Sequence, residues 1–196
     1  MATLYYLGHA SMRIVTDAGT VIYIDPAIGD QYDMPADLVL ITHEHGDHNR
    51  LSLITQKPKC RVICATDALD GKQYNHFEIG EIKVQAIPAG NKNHPSTECV
   101  GYLVTIDGIK LYHAGDTSSM PSMRDLAALH LDWAFLPTDG IYNMDVSEAS
   151  VCAKLIGAKH SVPIHTDTNY QFNPRLAEQF DAPGRTVLEP KQSVKL

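Results

Sequence analysis

The chain has 196 residues, of which 44% are hydrophobic and 20% charged, and its formal net charge is −7. This length predicts one domain over residues 1–196 with a sizeable core, and the charge argues against a general surface for nucleic acid or anionic membranes. The opening residues lack the basic and apolar regions of a secretory signal, and no apolar run is long enough to span a membrane. A cytoplasmic protein with unpaired cysteines is therefore expected.

The first third of the chain is predicted to begin with an antiparallel set of strands. Apolar and β-branched residues indicate strands over 3–7, 11–16 and 21–24, with a turn before the third. His9 lies where the first two strands meet, and it either lines a site or is a structural polar residue. Asp25 follows the third strand, and it either orients a ligand imidazole from behind or is a turn carboxylate before proline.

The densest polar cluster follows an apolar run over 37–41 that predicts a short buried strand. His43 and His45 are two residues apart, so they face the same side of an extended segment. Gly46 allows a sharp turn, after which Asp47 and His48 can point back from another direction. Imidazole and carboxylate groups are the ligands of zinc and its neighbours, so the two pairs suit two adjacent metal ions. The alternative is a solvated polar loop.

Residues 42–48 read THEHGDH and match the T-H-x-H-x-D-H signature. On this motif the chain resembles the metallo-β-lactamase-fold hydrolases. The segments GHAS (8–11) and IDP (24–26) resemble the branch that contains the ascorbate-phosphate lactonases and N-acylphosphatidylethanolamine phospholipase D. The resemblance covers most of the chain and implies an α/β fold, the four-layer αβ/βα sandwich, with its site at the edge between two sheets.

The middle of the chain carries a second polar cluster after an apolar strand. A helix start over 48–54 and a short helix at 66–69 are predicted, and the predicted strands cover 60–65, two runs within 77–89, 99–106 and 109–112. The last strand leads into HAGDT (113–117). By the resemblance, His94 is the third histidine of the first metal site, Asp116 bridges both metals, and His113 lies just behind the ligands.

Helix signals mark the last third of the chain. The predicted helices run over 123–129, from Ser147 to 156, and from Pro174, with Ser122, Ser147 and Asn173 as N-caps and Gly157 as the terminator. A strand over 132–136 precedes the second helix, a closing strand is expected over 185–188, and the tail is predicted to be polar.

Two segments of the last third resemble the family's site elements. The loop 137–145 resembles the branch's P-x-G-G-x-Y-T-M stretch, with Asp139 in place of the first glycine and Asn143 in place of the threonine. The strand 160–164 resembles the final I-P-x-H element. By that resemblance His165 is the second histidine of the second metal site.

The resemblance thus implies two divalent metal ions, with zinc as the first candidate and manganese or iron also suited to the ligands. The expected ligands are His43, His45 and His94 for one ion, Asp47, His48 and His165 for the other, and Asp116 between them. Asp47 and His113 are the candidate catalytic side chains. Proton delivery to the leaving group falls to His113, Tyr142 or a metal-bound water.

The function predicted from this site is that of a binuclear hydrolase, in which a metal-bridging hydroxide attacks a small ester, lactone or phosphoester. The alternatives are a phosphodiesterase acting on nucleic acid, an iron oxidoreductase and a non-catalytic metal-binding protein. The negative charge disfavours the first, and the chain has no room for the flavin or partner domain of the second. The expected partner is a small molecule rather than nucleic acid or membrane, and a homo-oligomer is plausible.

Overall fold

Two mixed six-stranded sheets make up most of the computed structural model, which describes all 196 residues. The strands of the first sheet are β1 (Thr3–Gly8), β2 (Ser11–Val15), β3 (Val21–Ile24), β4 (Ala36–Leu40), β5 (Gln56–Ile63) and β14 (Ser193–Lys195). Their order is β14-β1-β2-β3-β4-β5. The first four pair antiparallel, and β3, β4 and β5 run parallel. All residues of β3 are buried, which explains its continuous apolar sequence.

The second sheet repeats this mixture of pairings. Its strands are β8 (His76–Ile79), β9 (Ile82–Pro88), β10 (Val100–Ile106), β11 (Ile109–His113), β12 (Trp133–Pro137) and β13 (His160–Ile164). The order is β13-β12-β11-β10-β9-β8, with β8 to β11 antiparallel and β11 to β13 parallel. A two-stranded ribbon, β6 (Leu69–Asp70) and β7 (Gln73–Tyr74), lies between the two sheets in the chain. The α/β fold with two sheets is therefore confirmed.

Helices cover mainly the outer face of the second sheet. They are α1 (Ala65–Ala68), α2 (Met123–Leu126), α3 (Val146–Ile156) and α4 (Pro174–Gln179). Ala149, Cys152 and Ile156 of α3 pack with Leu136 of β12. On the first sheet, Tyr23 and Val39 are covered instead by loop residues such as Ile54. The largest core lies between the sheets. No helix in the structure is both long and apolar enough to cross a membrane.

Three predicted elements differ from the structure. The helix start at 48–54 is only a 3₁₀ turn, Leu51–Leu53. The closing strand predicted over 185–188 is a single bridge between Arg185 and Ser161, and the last strand is β14 in the tail instead. Leu196 is buried and Val194 packs on the core, so this tail alternates apolar and polar residues as an edge strand does. The prediction of a simply polar tail was therefore wrong, because it did not take this alternation into account.

Some of the helix caps predicted from the sequence are present in the structure, and others are not. Asn173 caps α4 by accepting from Leu176 N at 3.3 Å, and Gly157 ends α3 with φ 67°. Ser122 makes no capping hydrogen bond. The N-cap of α3 is Asp145, not Ser147, because the Asp145 carboxylate accepts from Glu148 N at 2.8 Å.

Replacing Asp145 with alanine should therefore lower the free energy of unfolding by about 1 kcal/mol, the usual loss for an N-cap. Ser147→Ala is the matched control, since Ser147 lies inside the helix, and it should change stability by no more than about 0.5 kcal/mol. Urea denaturation of both variants measures the difference. Equal losses in the two variants would contradict the assignment of the cap.

Candidate metal centre

The predicted ligands lie where parallel strands of both sheets end. The segment containing His43, His45 and His48 follows β4, Asp116 follows β11, and His165 directly follows β13. Carboxyl ends of parallel strands meet at one edge of a sheet, which gathers side chains that are distant in sequence. His94 comes from the loop between β9 and β10.

The structure brings all seven predicted metal ligands together. Three sets of ligand atoms each lie within 4.8 Å of one another. The sets are His43, His45 and His94; His9, Asp47, His48 and His165; and His43, His48 and Asp116. The third set connects the other two, and His9, which the sequence left open, belongs to the second.

Asp116 lies between the two histidine sets. Its Oδ1 is 3.2 Å from His48 Nε2, and its Oδ2 is 3.4 Å from the Nε2 atoms of both His94 and His165. One carboxylate thus faces histidines from each predicted metal site. This is the position that a bridging ligand requires.

Several ligand atoms in the cluster are buried without a well-aligned hydrogen bond, including His48 Nε2 and Asp116 Oδ1, which lie 3.2 Å apart. They are Nε2 of His43, His48 and His165, and Oδ1 of Asp116. Unpartnered buried polar atoms are rare in folded proteins because each costs desolvation free energy. Imidazole nitrogens and a carboxylate that converge in this way fit divalent cations such as zinc. We conclude that the residues present suit a metal centre.

The tautomers of two ligands follow from one chain of hydrogen bonds. Thr42 Oγ1 donates to Asp25 Oδ2 at 2.7 Å, so His43 Nδ1, 3.1 Å from the same hydroxyl, must be the donor to it. His48 Nδ1 donates to Asp25 Oδ2 at 2.8 Å. Nδ1 therefore carries the proton that each partner accepts, which leaves Nε2 as the nitrogen for a metal. On His48 a metal must displace a proton from Nε2, because burial is outweighed by Asp116 and Asp25, which raise the pKa of His48 well above its usual value. The structure confirms that Asp25 orients an imidazole.

The other histidines have polar neighbours of the same kind. Asn91 Oδ1 lies 3.0 Å from His94 Nδ1 and also accepts the His94 and Asn93 backbone N–H groups. Asp139 Oδ2 lies 3.0 Å from His165 Nδ1, although the N–H does not point directly at it. Asp139 thus places a carboxylate behind a predicted ligand.

Asp25→Asn should weaken metal binding by about 10- to 100-fold, because an amide cannot accept from His48 and Thr42 as the carboxylate does. Asp30→Asn is the control, since the exposed Asp30 pairs only with Lys191. Competition with a coloured chelator measures the affinity of both variants. Wild-type affinity in Asp25→Asn would refute this role.

Burial and charge shift the pKa values of the cluster in opposite directions. Burial, reinforced by the His48 charge, lowers the pKa of His43 to about 3. Burial also disfavours the charged form of His165, but the charge of Asp116 and the contact with Asp139 outweigh it and raise the pKa of His165 to about 9. The pKa of Asp116 lies well below its usual range, because His48 and His165 outweigh its burial. Metal must therefore compete with a proton on His165.

The metal-free protein should lose stability as the pH rises from about 7 to 10, because the raised pKa of His165 stabilises the fold below about 6.5 and ceases to do so above about 9. The expected loss is of the order of 2–3 kcal/mol. Urea denaturation in chelator measures it. His165→Gln should show a smaller fall over the same range, and equal falls in both proteins would contradict the prediction.

Backbone strain is concentrated in the same place. His9, Asp25 and His165 all have positive φ, at 56°, 46° and 47°. Such angles are uncommon outside glycine and cost of the order of 1 kcal/mol each. Gly115 also has positive φ, and a Cβ there would lie 2.9 Å from Val100 O and 3.0 Å from Thr42 Cβ. This glycine lets Asp116 approach the histidine segment closely.

His113 does not face the ligand cluster, so its prediction as a proton donor is corrected. Gly115 N donates to His113 Nδ1 at 3.2 Å, and His113 Nε2 donates to Ala10 O at 2.9 Å. The ring is fully buried and both nitrogens are occupied by backbone groups. His113 therefore connects the two sheets beside the site. Tyr142, the other side-chain candidate, is half exposed and lines a cavity together with Asp47 and Asp116.

Two cavities open onto the ligand cluster. The first, of about 410 Å³, reaches His43, His45 and His94. The second, of about 360 Å³, reaches Asp47, Asp116 and His165. Tyr170, which no sequence signal singled out, lines the second cavity and packs edge-on against His9 with 5.0 Å between ring centroids. A substrate thus has access to both predicted metal sites.

Comparison with known proteins agrees with the site. The family model of the β-lactamase superfamily domain matches residues 3–165, which include every residue of the cluster. A UPF0173 metal-dependent hydrolase of Methanoregula boonei is 35% identical over 184 residues, which are 84% of this chain and 82% of that protein. Another, of Thermococcus onnurineus, is 30% identical over 194 residues, which are 86% of each chain. A crystal structure from Parabacteroides distasonis is 32% identical, with a TM-score of 0.78 over 95% of this chain and 91% of that one.

Proposed function

The chain belongs to the β-lactamase superfamily and, within it, to the UPF0173 metal-dependent hydrolases, and on that basis we propose that it is a binuclear hydrolase of a small ester, lactone or phosphoester. The observation that carries the proposal is the convergence of ligand atoms within 4.8 Å in three connected sets. The lactone and phosphoester classes come from the branch resemblance of the GHAS and IDP segments.

The proposed ligand assignment keeps the two groups that the family resemblance implies. His43, His45 and His94 would hold one cation, Asp47, His48 and His165 the other, with Asp116 between them. Divalent cations bound there would lower the pKa of water and polarise the substrate oxygen. Zinc is the first candidate on the donor set.

The protein's own groups prepare the site for that chemistry. The contacts of Asp25 with His48 and of Thr42 with His43 hold both rings in place before a metal binds. Burial would raise the pKa of Asp47, but a hydrogen bond with His9 Nε2 at 3.3 Å and the charge of His48 hold it below its usual range. Asp47 stays ionised and can accept a hydrogen bond from the attacking water. The half-exposed Tyr142 is the remaining side-chain candidate for giving the leaving group its proton.

The reaction consumes one water. For an ester, the water oxygen forms a bond to the carbonyl carbon and the bond to the leaving oxygen breaks. One water proton ends on the released alcohol, and the other leaves with the acid. The site needs no nucleophilic serine or cysteine for this, and the walls of the two cavities supply the binding surface.

The test is metal content together with turnover. Protein purified without chelator or histidine tag should hold about two metal ions per chain by elemental analysis. It should hydrolyse at least one member of a panel of esters, lactones and phosphoesters, lose that activity in chelator and regain it with zinc or manganese. Protein that takes up no metal would refute the proposal. Metal without turnover on any member would favour a non-catalytic metal-binding protein.

A further inference from the structure

The second cavity holds the only exposed aromatic rings of the protein. Among the chain's nine tyrosines, four phenylalanines and one tryptophan, only Tyr142 and Tyr170 are exposed, each at 50%. Both line this cavity, and no other residue of its lining has a large apolar side chain. Aromatic side chains are enriched where ligands and partners bind. Their confinement to one cavity therefore indicates a contact surface for a ligand.

The two tyrosines lie at the entrance of the cavity rather than among the buried ligands. Asp116 and His165 line the same cavity but are only 3% and 2% exposed, so they form its floor. The half-exposed rings of Tyr142 and Tyr170 form its mouth. These ring faces carry no charge, and they stay available when cations occupy the floor.

The backbone at Tyr142 is fixed relative to two predicted ligands. The Asp139 carboxylate accepts from Tyr142 N at 2.7 Å, and it also lies 3.0 Å from His165 Nδ1. The side-chain amide of Asn91 donates to Tyr142 O at 2.9 Å, and Asn91 Oδ1 lies 3.0 Å from His94 Nδ1. One carboxylate and one amide thus connect Tyr142 to histidines of both predicted metal sites.

Tyr170 is held by its backbone and by ring packing. Its φ of 63° lies in the left-handed region, which bulky residues rarely adopt and which persists only where the surrounding structure fixes it. The Tyr170 ring packs edge-on against His9, and the His9 ring centroid lies 3.6 Å from that of His165. Strained residues of this kind are concentrated at sites that hold ligands. The loop after β13 therefore presents Tyr170 to the cavity in a defined position.

We propose that the substrate carries an aromatic ring in its non-reacting part, and that this ring packs on Tyr142 and Tyr170 at the mouth of the second cavity. The inference rests on the proposed hydrolase function and narrows its substrate class. Aromatic rings pair in edge-to-face or offset geometry and gain free energy beyond the burial of their area. Apolar contact in this cavity is confined to the two tyrosines, which suits one flat ring better than a long aliphatic chain. The ring takes no part in bond breaking.

The test compares the methyl esters of phenylpropanoic and cyclohexylpropanoic acid, each with the ring at the end of the chain. The cyclohexyl ring is apolar but has no π face, so apolar burial alone would not favour the phenyl ester. Acid release at constant pH measures kcat/KM, which is divided by the rate of alkaline hydrolysis of each ester. For the metal-loaded protein this value should be at least about fivefold higher for the phenyl ester. Equal values, or a faster cyclohexyl ester, would overturn the proposal.

Leucine variants test the two tyrosines. Tyr142→Leu and Tyr170→Leu keep apolar surface but remove a ring, so each should lower the phenyl-to-cyclohexyl ratio by at least about twofold, and the double variant should bring it to within about twofold of one. Tyr5→Leu makes the same exchange at a tyrosine of β1 that lines neither cavity, and it should keep the wild-type ratio. An unchanged ratio in the double variant would overturn the proposal.

Tyr142→Phe separates ring packing from proton delivery. This variant loses the hydroxyl but keeps the ring, so the ratio of the two esters should stay at its wild-type value even where kcat falls for both. A fall in the ratio as large as that in Tyr142→Leu would assign the preference to the hydroxyl and would contradict the proposed ring contact.

Failure of the parent function gives a different result. If the wild-type protein hydrolyses neither ester, ester hydrolysis itself fails, and the preference is read from calorimetric binding of the two carboxylic acids to the metal-loaded protein. Binding of phenylpropanoate at least about fivefold tighter than cyclohexylpropanoate, with the difference lost in the double leucine variant, would support the aromatic subsite. Equal or undetectable binding of the two acids would overturn it.

Discussion

Asp116→Asn should abolish the proposed pair of metal sites while leaving the fold intact. The substituted amide keeps the shape of the side chain but loses the charge that faces His48, His94 and His165. Because loss of an outer-shell partner alone costs about 10- to 100-fold in metal affinity or activity, loss of this carboxylate should cost more than about 100-fold in activity. Metal content should drop below the wild-type value by elemental analysis.

The control for this variant is Asp181→Asn, an exposed aspartate that pairs with Lys154 and lies on a different surface. It should retain wild-type metal content and turnover. His94→Ala is expected to lose metal as Asp116→Asn does. Retention of both metal equivalents in Asp116→Asn would place the carboxylate outside the ligand set, and unaffected metal in His94→Ala would favour a site with one metal.

Metal binding should also raise the thermal stability of the protein strongly. At a metal concentration about a thousand times Kd the folded state gains about 4 kcal/mol, which for a chain of this size corresponds to a Tm increase of roughly 8–16 °C. The gain requires that metal bind the folded chain far more tightly than the unfolded one, and the ligands converge only in the fold. Thermal unfolding in chelator and with added zinc measures it.

A matched variant tests whether the increase arises at the cluster. His76→Gln removes an exposed histidine on β8, and it should show the wild-type increase in Tm. His48→Gln, which removes a buried ligand, should show a much smaller one. The same increase in both variants would mean that zinc stabilises the protein at some other place.

The strands were the most predictable part of the fold. The limits of β3 and β13 agree with the sequence prediction, because continuous apolar runs with turn residues at their ends have few other interpretations. The cap of α3 was less predictable. Asp145 and Ser147 are both good capping residues two positions apart, and only the backbone path shows which one precedes the first turn.

The residues of the site also differed in how far the sequence could predict them. His43, His45 and His48 were predictable because they are adjacent in sequence and follow a strand. His94 was identified by resemblance, since nothing in its loop alone indicates a ligand. The contact of Asp139 with His165 could not be predicted, because the two residues come from separate loops that only the parallel pairing of β12 and β13 brings together.

The two sheets share one pattern of strand pairing. Strands β1 to β5 and β9 to β13 follow the same plan, two antiparallel pairings and then two parallel ones. Asp25 follows the third strand of one unit, and Asp116 follows the third strand of the other. The two carboxylates occupy corresponding positions but have different contacts: Asp25 lies behind His48, and Asp116 lies among the predicted ligands. Each set of five strands supplies only some of the predicted metal ligands, so bound cations would connect the two halves of the molecule at the edge where the two sheets meet.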